Sequence, residues 1–319
     1  MSRISMQKTI KKDVKILEAW EGYKEELKVR GLSQFSIITK NSVFKDFNKF
    51  YNTETTKTCE LNEKLVNGYI LWLMDRGNRN TTINSKMTNF KPFLHWCMER
   101  NYCKEFKTMH VKEVDIIKPS YSLENLEKIL EKPEIKKCTF AEYRNWVLCN
   151  YFLATGNRLN SVVNIKIKDI DFENNLVKLT ETKNKKEQII PITPQLSNIL
   201  KEYLTYRKGE PEDYLFVNIN GQPLKRNSCQ QALIYYIKKQ RGVDVTSIHA
   251  FRRTYATMYV ENGGNLFALQ QLMGHSKLET TRKYVNLSIK QLQQNYSKYN
   301  PLETILNKNK KEHMTLKRK

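Results

Sequence analysis

The chain has 319 residues, with 55 Lys and Arg against 33 Asp and Glu, a formal charge of +22 and a pI near 9.6. That length allows two domains, and that charge points to a polyanionic partner, nucleic acid ahead of an anionic membrane surface. No apolar run reaches the ~18 residues that cross a bilayer, and Met1–Asp13 lacks the apolar stretch of a signal peptide, so a soluble cytoplasmic protein, associated with the nucleoid, is expected.

From Val14 to Tyr102 apolar residues recur at helical spacing in four blocks. These are VKILEAWEGYKEELKVRG, ended by Gly31; SQFSIITKNSVFKDFNKFY, opened by Ser33 as N-cap; LNEKLVNGYILWLMDRG, ended by Gly77; and TTINSKMTNFKPFLHWCMERNY. After a basic tail over 1–12, residues 13–105 read as an all-helical domain, and 106–121, which carry Pro119 and no sustained period, as a linker. The second domain, 122–295, opens with a helix capped by Ser122 and a second helix, TFAEYRNWVLCNYFLAT, that runs into Gly156. NIKIKDIDF, NLVKLTET and EQIIPIT then read as the strands of a small antiparallel sheet. Helical spacing returns in PQLSNILKEYLTYRKG, NSCQQALIYYIKKQRG, SIHAFRRTYATMYVENGG, LFALQQLMGH and LETTRKYVNL. The segment 296–319 holds one apolar patch, NPLETIL, and a basic end; no internal repeat is visible.

His249-Ala-Phe-Arg252 sets an imidazole and a guanidinium three residues apart, on one face of a helix. A general acid or base beside a planar multi-donor cation suits a phosphate that gains charge in a transition state, although alone the pair also fits a surface helix. In ATGNRLNSVVNI, Thr155-Gly156 breaks one helix and Arg158 starts the next, which is either an anion site or a solvated arginine after a turn. Lys183 stands in the hairpin tip of ETKNKKEQIIPI, as solvated charge or, if held at a cleft, as a proton donor to a leaving oxygen. Gly274-His275 closes a helix as an ordinary cap. Tyr284 follows on a short amphipathic segment where Leu278, Thr281 and Val285 share a face, and it falls about a quarter turn from the centre of that face. That rim position fits a hydroxyl presented to a cleft, whereas Tyr255 and Tyr259 are better packing residues.

Taken in order, Arg158, Lys183, His249-x-x-Arg252, Gly274-His275 and Tyr284 resemble the catalytic domain of the tyrosine recombinase (phage-type integrase) family. TGNRLNSV matches that family's T-G-x-R box, TKNKKEQIIPI its hairpin with the active lysine, HAFRRTYAT its H-x-x-R-H-T-x-A-T box, and LMGHSKLETTRKYVNL its box from L-G-H to the tyrosine. The helical first domain resembles the family's core-binding domain, so nearly the whole chain is covered. Three positions depart from the pattern. Ser161 stands where an acidic residue usually supports the first arginine, Arg253 where a histidine is frequent, and Met273 replaces a leucine of similar volume. Asp169 or Asp171 is a candidate for the missing acid.

The resemblance implies a mainly α fold with a small antiparallel β-sheet: a SAM-like helical N-terminal domain followed by an α+β catalytic domain. It implies a site-specific recombinase in which Tyr284 attacks a DNA phosphodiester, leaving a 3′-phosphotyrosyl enzyme and a free 5′-hydroxyl, with exchange through a Holliday junction. Arg158 and Arg252 would clamp the scissile phosphate, and removing either would cost about 10²–10³ in rate. Lys183 would protonate the leaving 5′ oxygen, His249 would act as general base or orienter toward Tyr284, and His275 would donate to a phosphate oxygen. No cofactor or metal is expected: the six cysteines are scattered, and there is no G-x-x-x-x-G-K-[ST] loop or clustered Asp/Glu/His set. The implied partners are double-stranded DNA with specific core sites, clamped by two basic domains, further copies of the chain in a tetramer on two sites, and an accessory directionality factor. Docking between protomers would use the C-terminal segment around NPLETIL. Lys40, Asn84 and Lys86, off the apolar faces of the second and fourth helices, are the candidate groove or phosphate contacts. Only about a dozen residues precede the first helix, so the arm-binding domain of many phage integrases is expected to be absent. A type IB topoisomerase is disfavoured by the H-x-x-R and G-H boxes. A noncatalytic DNA-binding protein on the same fold is disfavoured by the complete set from Arg158 to Tyr284.

Overall fold

The structure, a computed structural model, describes residues 14–113, 120–180, 187–245, 247–282, Tyr284, Pro301, Leu302 and Ile305. The chain divides into two compact units, Met1–Ile116 and Ile117–Lys319, each with an apolar core of its own.

The first unit is built from α1 (Ile16–Val29), α2 (Gln34–Phe50), α3 (Glu63–Asp75) and α4 (Asn80–Glu99). Short polar side chains start two of them: Ser33 accepts the backbone N–H of Ser36, and Asn62 that of Leu65. Gly31 and Gly77, both at positive φ, stop α1 and α3 where a Cβ would be strained. The buried stripe Ile16, Trp20, Tyr23 and Leu27 of α1 faces an aromatic core. There Trp20 stacks on Phe44 at 4.3 Å and takes Phe93 edge-on at 5.1 Å, geometries that add to the burial of apolar area.

The second unit runs α5 (Leu123–Leu130), α6 (Phe140–Thr155), α7 (Leu159–Val163), β1 (Ile170–Asp171), β2 (Leu176–Leu179), β3 (Gln188–Pro191), α8 (Pro194–Arg207), α9 (Arg226–Tyr235), α10 (Ile248–Glu261), α11 (Leu266–Leu272) and α12 (Leu278–Arg282). Helix α6 is buried on nearly every side, as a central helix must be, and packs against α8 and α10. The antiparallel sheet has the order β1-β2-β3, with Val177 opposite Ile170 and Ile190, and Leu179 opposite Gln188. Val177, Leu179 and Ile190 point inward while Lys178 and Ile189 point out, so strand alternation fixes the register.

The first strand is shorter than the sequence suggests. It spans only Ile170–Asp171, because Asp169 accepts the N–H of Lys166 at 2.8 Å and curls the preceding residues into a 3-10 turn. Helix α12 ends at Arg282, and Tyr284 sits just beyond it, its N–H donating to Thr281 O at 3.0 Å. The helix α9 continues as a π-helical turn over Tyr236–Gln240. Among the described residues no helix is long and apolar enough to cross a membrane.

Candidate active site

The C-terminal end of α11 organises the site. A helix end leaves its last carbonyls without partners and carries negative potential, and three separated side chains donate to this one. Gln188, from β3, donates through Nε2 to the carbonyls of Gln271 at 2.6 Å and Leu272 at 3.0 Å. Arg158, at the start of α7, donates to Met273 O at 3.3 Å and Gly274 O at 3.4 Å. Arg252, from α10, donates to Met273 O and Gly156 O, each at 2.6 Å.

Two glycines make this convergence sterically allowed. Gly274 has φ 59°, and its N–H and that of His275 return to Gln271 O at 2.9 Å and Gln270 O at 3.0 Å, the pair of bonds of a Schellman cap. A Cβ on Gly274 would also lie 2.9 Å from Gln188 Oε1. Gly156 has φ 62°, and a Cβ there would run into the Tyr255 ring.

The cap hands His275 into the centre. Its Nε2 lies 2.7 Å from Arg252 Nη2, and its Nδ1 lies 2.9 Å from Thr281 Oγ1. Beside it stands Tyr284, ring centroids 6.3 Å apart and planes 12° from parallel. The tyrosine is half-buried and packs on the small cluster of Ala256, Val260, Leu269 and Met273, together with Tyr255 and Tyr259. Tyr255 and Tyr259, expected to be the packing residues, are partly buried against the same cluster, so burial does not set Tyr284 apart from them.

The electrostatics are those of a site that favours an anion. Arg252 is only 6% exposed; burial first, and then the like charge of Arg158, lower its pKa to about 10, opposed by Tyr284. It is still a cation at neutral pH. Burial likewise lowers Arg158. The His275 ring is pushed down to about 4, by burial and then by Arg252 and Arg158, which disfavour a further positive charge. The donors of Arg158 and Arg252 go to carbonyls, to His275 and to Tyr284 rather than to a carboxylate, among the described residues. The acid missing at Ser161 is thus not replaced by Asp169 or Asp171. Asp169 holds its own turn at Lys166, and Asp171 caps Glu173 and Asn174. The backbone carbonyls of Met273 and Gly274, just past α11, hold Arg158 instead.

His249 points to the open side. It lines a cavity of about 280 Å³ with Asn157, Arg226, Gln230 and Ser247, and burial, followed by Arg252, Arg253, Arg226 and Arg158, lowers its pKa. Lys183 lies outside the described residues, as do residues 181–186 around it. The structure therefore brings together Arg158, Arg252, His275 and Tyr284, with His249 facing the neighbouring cavity. Gln188 and Thr281 escape the sequence. Gln188 bonds across 83 positions, and no local pattern signals such a pair. A buried threonine six residues after a capping histidine could have suggested the second.

In the first unit, one expected DNA contact is corrected. Asn84 does not lie off the buried face: it is 6% exposed, donates to Val111 O and to Glu113 Oε1, each at 2.7 Å, and accepts the Val111 N–H at 3.0 Å. It straps residues 111–113 onto α4. Lys86 is ion-paired with Asp46, and Lys40 is half-buried and donates to Asn89 O at 3.3 Å.

The phage integrase family matches residues 121–291, and the phage integrase SAM-like domain matches residues 15–112. The tyrosine recombinase XerC of Chlamydia caviae is 30% identical over 241 residues, covering 73% of this chain and 76% of that protein. XerC of Staphylococcus carnosus is 27% identical over 288 residues, 88% of this chain and 96% of that one. Among solved structures, the Tn1549 transposon integrase in complex with a circular intermediate DNA shares the fold with a TM-score of 0.73 at 16% identity, over 88% of this chain and 99% of that one. The XerH site-specific recombinase bound to its palindromic difH substrate does so with a TM-score of 0.66 at 21% identity, over 87% and 83%. With its second unit matched to that family and its first to the family's SAM-like domain, the chain belongs to the phage integrase family of tyrosine recombinases, enzymes that break and rejoin DNA.

Proposed function

We propose that the chain recombines DNA at specific core sites and that Tyr284 is its nucleophile. The phenol oxygen attacks a phosphodiester; the bond to the 5′ oxygen breaks, and the 3′ phosphate stays on the enzyme as a phosphotyrosine. The observation that carries this reading is the meeting of two guanidinium groups, with no carboxylate partner among the described residues, and an imidazole beside one tyrosine. Preorganised cations of this kind stabilise charge on the oxygens of a transferring phosphate. Arg158 and Arg252 bind the non-bridging oxygens, and His249, on the open side, orients or deprotonates the phenol.

Lys183 protonates the leaving 5′ oxygen. Lys183 falls between β2 and β3 in the chain, and Gln188, the first residue of β3, is anchored at the end of α11. Rejoining reverses the attack and needs no energy-rich cofactor, because the phosphotyrosyl bond conserves the energy of the one it replaced. Complete exchange proceeds through a Holliday junction in a tetramer on two sites, with an accessory factor setting direction.

Suicide duplexes, nicked near the cleavage position and drawn from the ends of the DNA segment that encodes the chain, test the assignment. Wild type forms a covalent protein–DNA adduct; Tyr284→Phe binds the same duplex and forms none. An adduct that persists in Tyr284→Phe overturns it.

A further inference from the structure

Thr281 has 0% exposure and rides on α12, just ahead of Tyr284. Its hydroxyl meets His275 Nδ1 at 2.9 Å, while Arg252 Nη2 lies 2.7 Å from Nε2 on the other side of the ring. A guanidinium can only donate. Nε2 is therefore the bare nitrogen, the ring is neutral, and its proton sits on Nδ1 and is donated to Thr281 Oγ1. In that state His275 has no proton to offer a phosphate through Nε2.

A hydroxyl both donates and accepts, so Thr281 serves the opposite tautomer equally well. When Arg252 turns Nη2 toward a phosphate oxygen, the partly exposed ring gives its Nδ1 proton to solvent water and takes one from water at Nε2, with no net change of charge. Nδ1 then accepts from the Thr281 O–H. We propose that Thr281 is a positioning residue that holds Nδ1 of His275 in either tautomer, and that it couples the seating of the Tyr284 segment to the presence of a proton on Nε2. The groups facing the ring fit this: Arg252 from α10 and Arg158 from the start of α7 are both cations and disfavour a doubly protonated imidazole, so the exchange runs between neutral forms. The remaining neighbour, Tyr284, stacks beside the ring.

The role of Tyr284 and the phosphate belong to the recombinase reading, so the test has one arm that needs no DNA. The full chain is prepared with isotope-labelled histidine, the signals of His275 are assigned through His275→Gln, and long-range proton–nitrogen spectra are recorded at neutral pH. Wild type and Thr281→Ser show a neutral His275 with a hydrogen-bonded proton on Nδ1, and in Thr281→Val, which keeps the shape and removes the hydroxyl, that proton loses its acceptor and its signal shifts upfield. A wild-type ring protonated on Nε2, or a Thr281→Val spectrum like wild type, overturns the proposal.

The second arm measures adduct formation on the suicide duplex. Thr281→Val slows it by about tenfold to a hundredfold at saturating DNA, with affinity unchanged, as expected for a buried polar partner removed; Thr281→Ser recovers most of the loss. In a His275→Gln background the same change to valine has less than about a twofold effect, because coupled sites are not additive. Full additivity shows that Thr281 acts by packing alone and overturns the proposal. A wild type that forms no adduct overturns the recombinase reading instead, and leaves the spectra to decide the tautomer.

Discussion

Arg252 spends its donors on the carbonyls of Gly156 and Met273 and on the ring of His275, and this economy determines what His275 can do. An imidazole held against two guanidinium groups resists protonation, which has a consequence for stability. The folded value of about 4 lies below the ordinary value of about 6.5 for a histidine in an unfolded chain. Between these limits the unfolded state binds more protons, so stability rises as pH climbs through that window and is flat above it. His249 is shifted in the same direction and adds to the slope. Thermal melts from about pH 4 to about pH 6.5 are expected to show the midpoint of wild type rising with pH, and that of His275→Gln rising less. Equal slopes in the two proteins would count against a neutral His275. The residue types of the centre are legible from the sequence, since the spacing of Arg158, His249, Arg252, His275 and Tyr284 is a pattern. The proton on Nδ1 is not, because it depends on Thr281 and Arg252 approaching one ring from opposite sides.

At the level of the element, the end of α11 is the junction on which the site is assembled. Gly274 is legible in the sequence as a helix cap, yet its second constraint, the side chain of Gln188 lying against it, comes from a strand far away in the chain. Gly274→Ala should therefore cost about 1–2 kcal/mol for the left-handed backbone alone, and push Gln188 away in addition. The expected outcome is a lower melting temperature together with slower adduct formation on the suicide duplex; a variant as stable and as fast as wild type would remove the cap from the list of organising features. The contrast between α4 and the sheet is similar. Helical spacing marks α4 correctly, but on it Asn84 faces inward to hold residues 111–113, which a polar residue at that position does not announce. The run from Asn164 alternates like a strand, yet a local side-chain bond from Asp169 bends it into a turn before Ile170, since such bonds compete with the ladder.

For the whole molecule, the charge of +22 bears on how tightly DNA is held rather than on chemistry. Binding that rests on phosphate contacts releases counterions, so the logarithm of the affinity should fall linearly with that of salt, with a slope of about −0.9 per phosphate contacted. A titration over rising salt is expected to give a slope equal to several contacts, and a slope near zero would show that the basic surface does not serve DNA. Deleting 296–319 should leave duplex binding and adduct formation but abolish strand exchange, and retained exchange would count against protomer docking through that segment. The sequence by itself determined the helix order, the caps at Ser33, Ser122 and Gly274, and the small antiparallel sheet, because all of these follow from local spacing and residue type. The tertiary structure alone decided that the backbone carbonyls of Met273 and Gly274 take the place of the acid missing at Ser161, that Asn84 turns inward, and that His275 is neutral with its proton toward Thr281. Each of those depends on groups distant in the chain meeting in a buried place where a polar atom must find a partner, and no local pattern specifies which partner it will be.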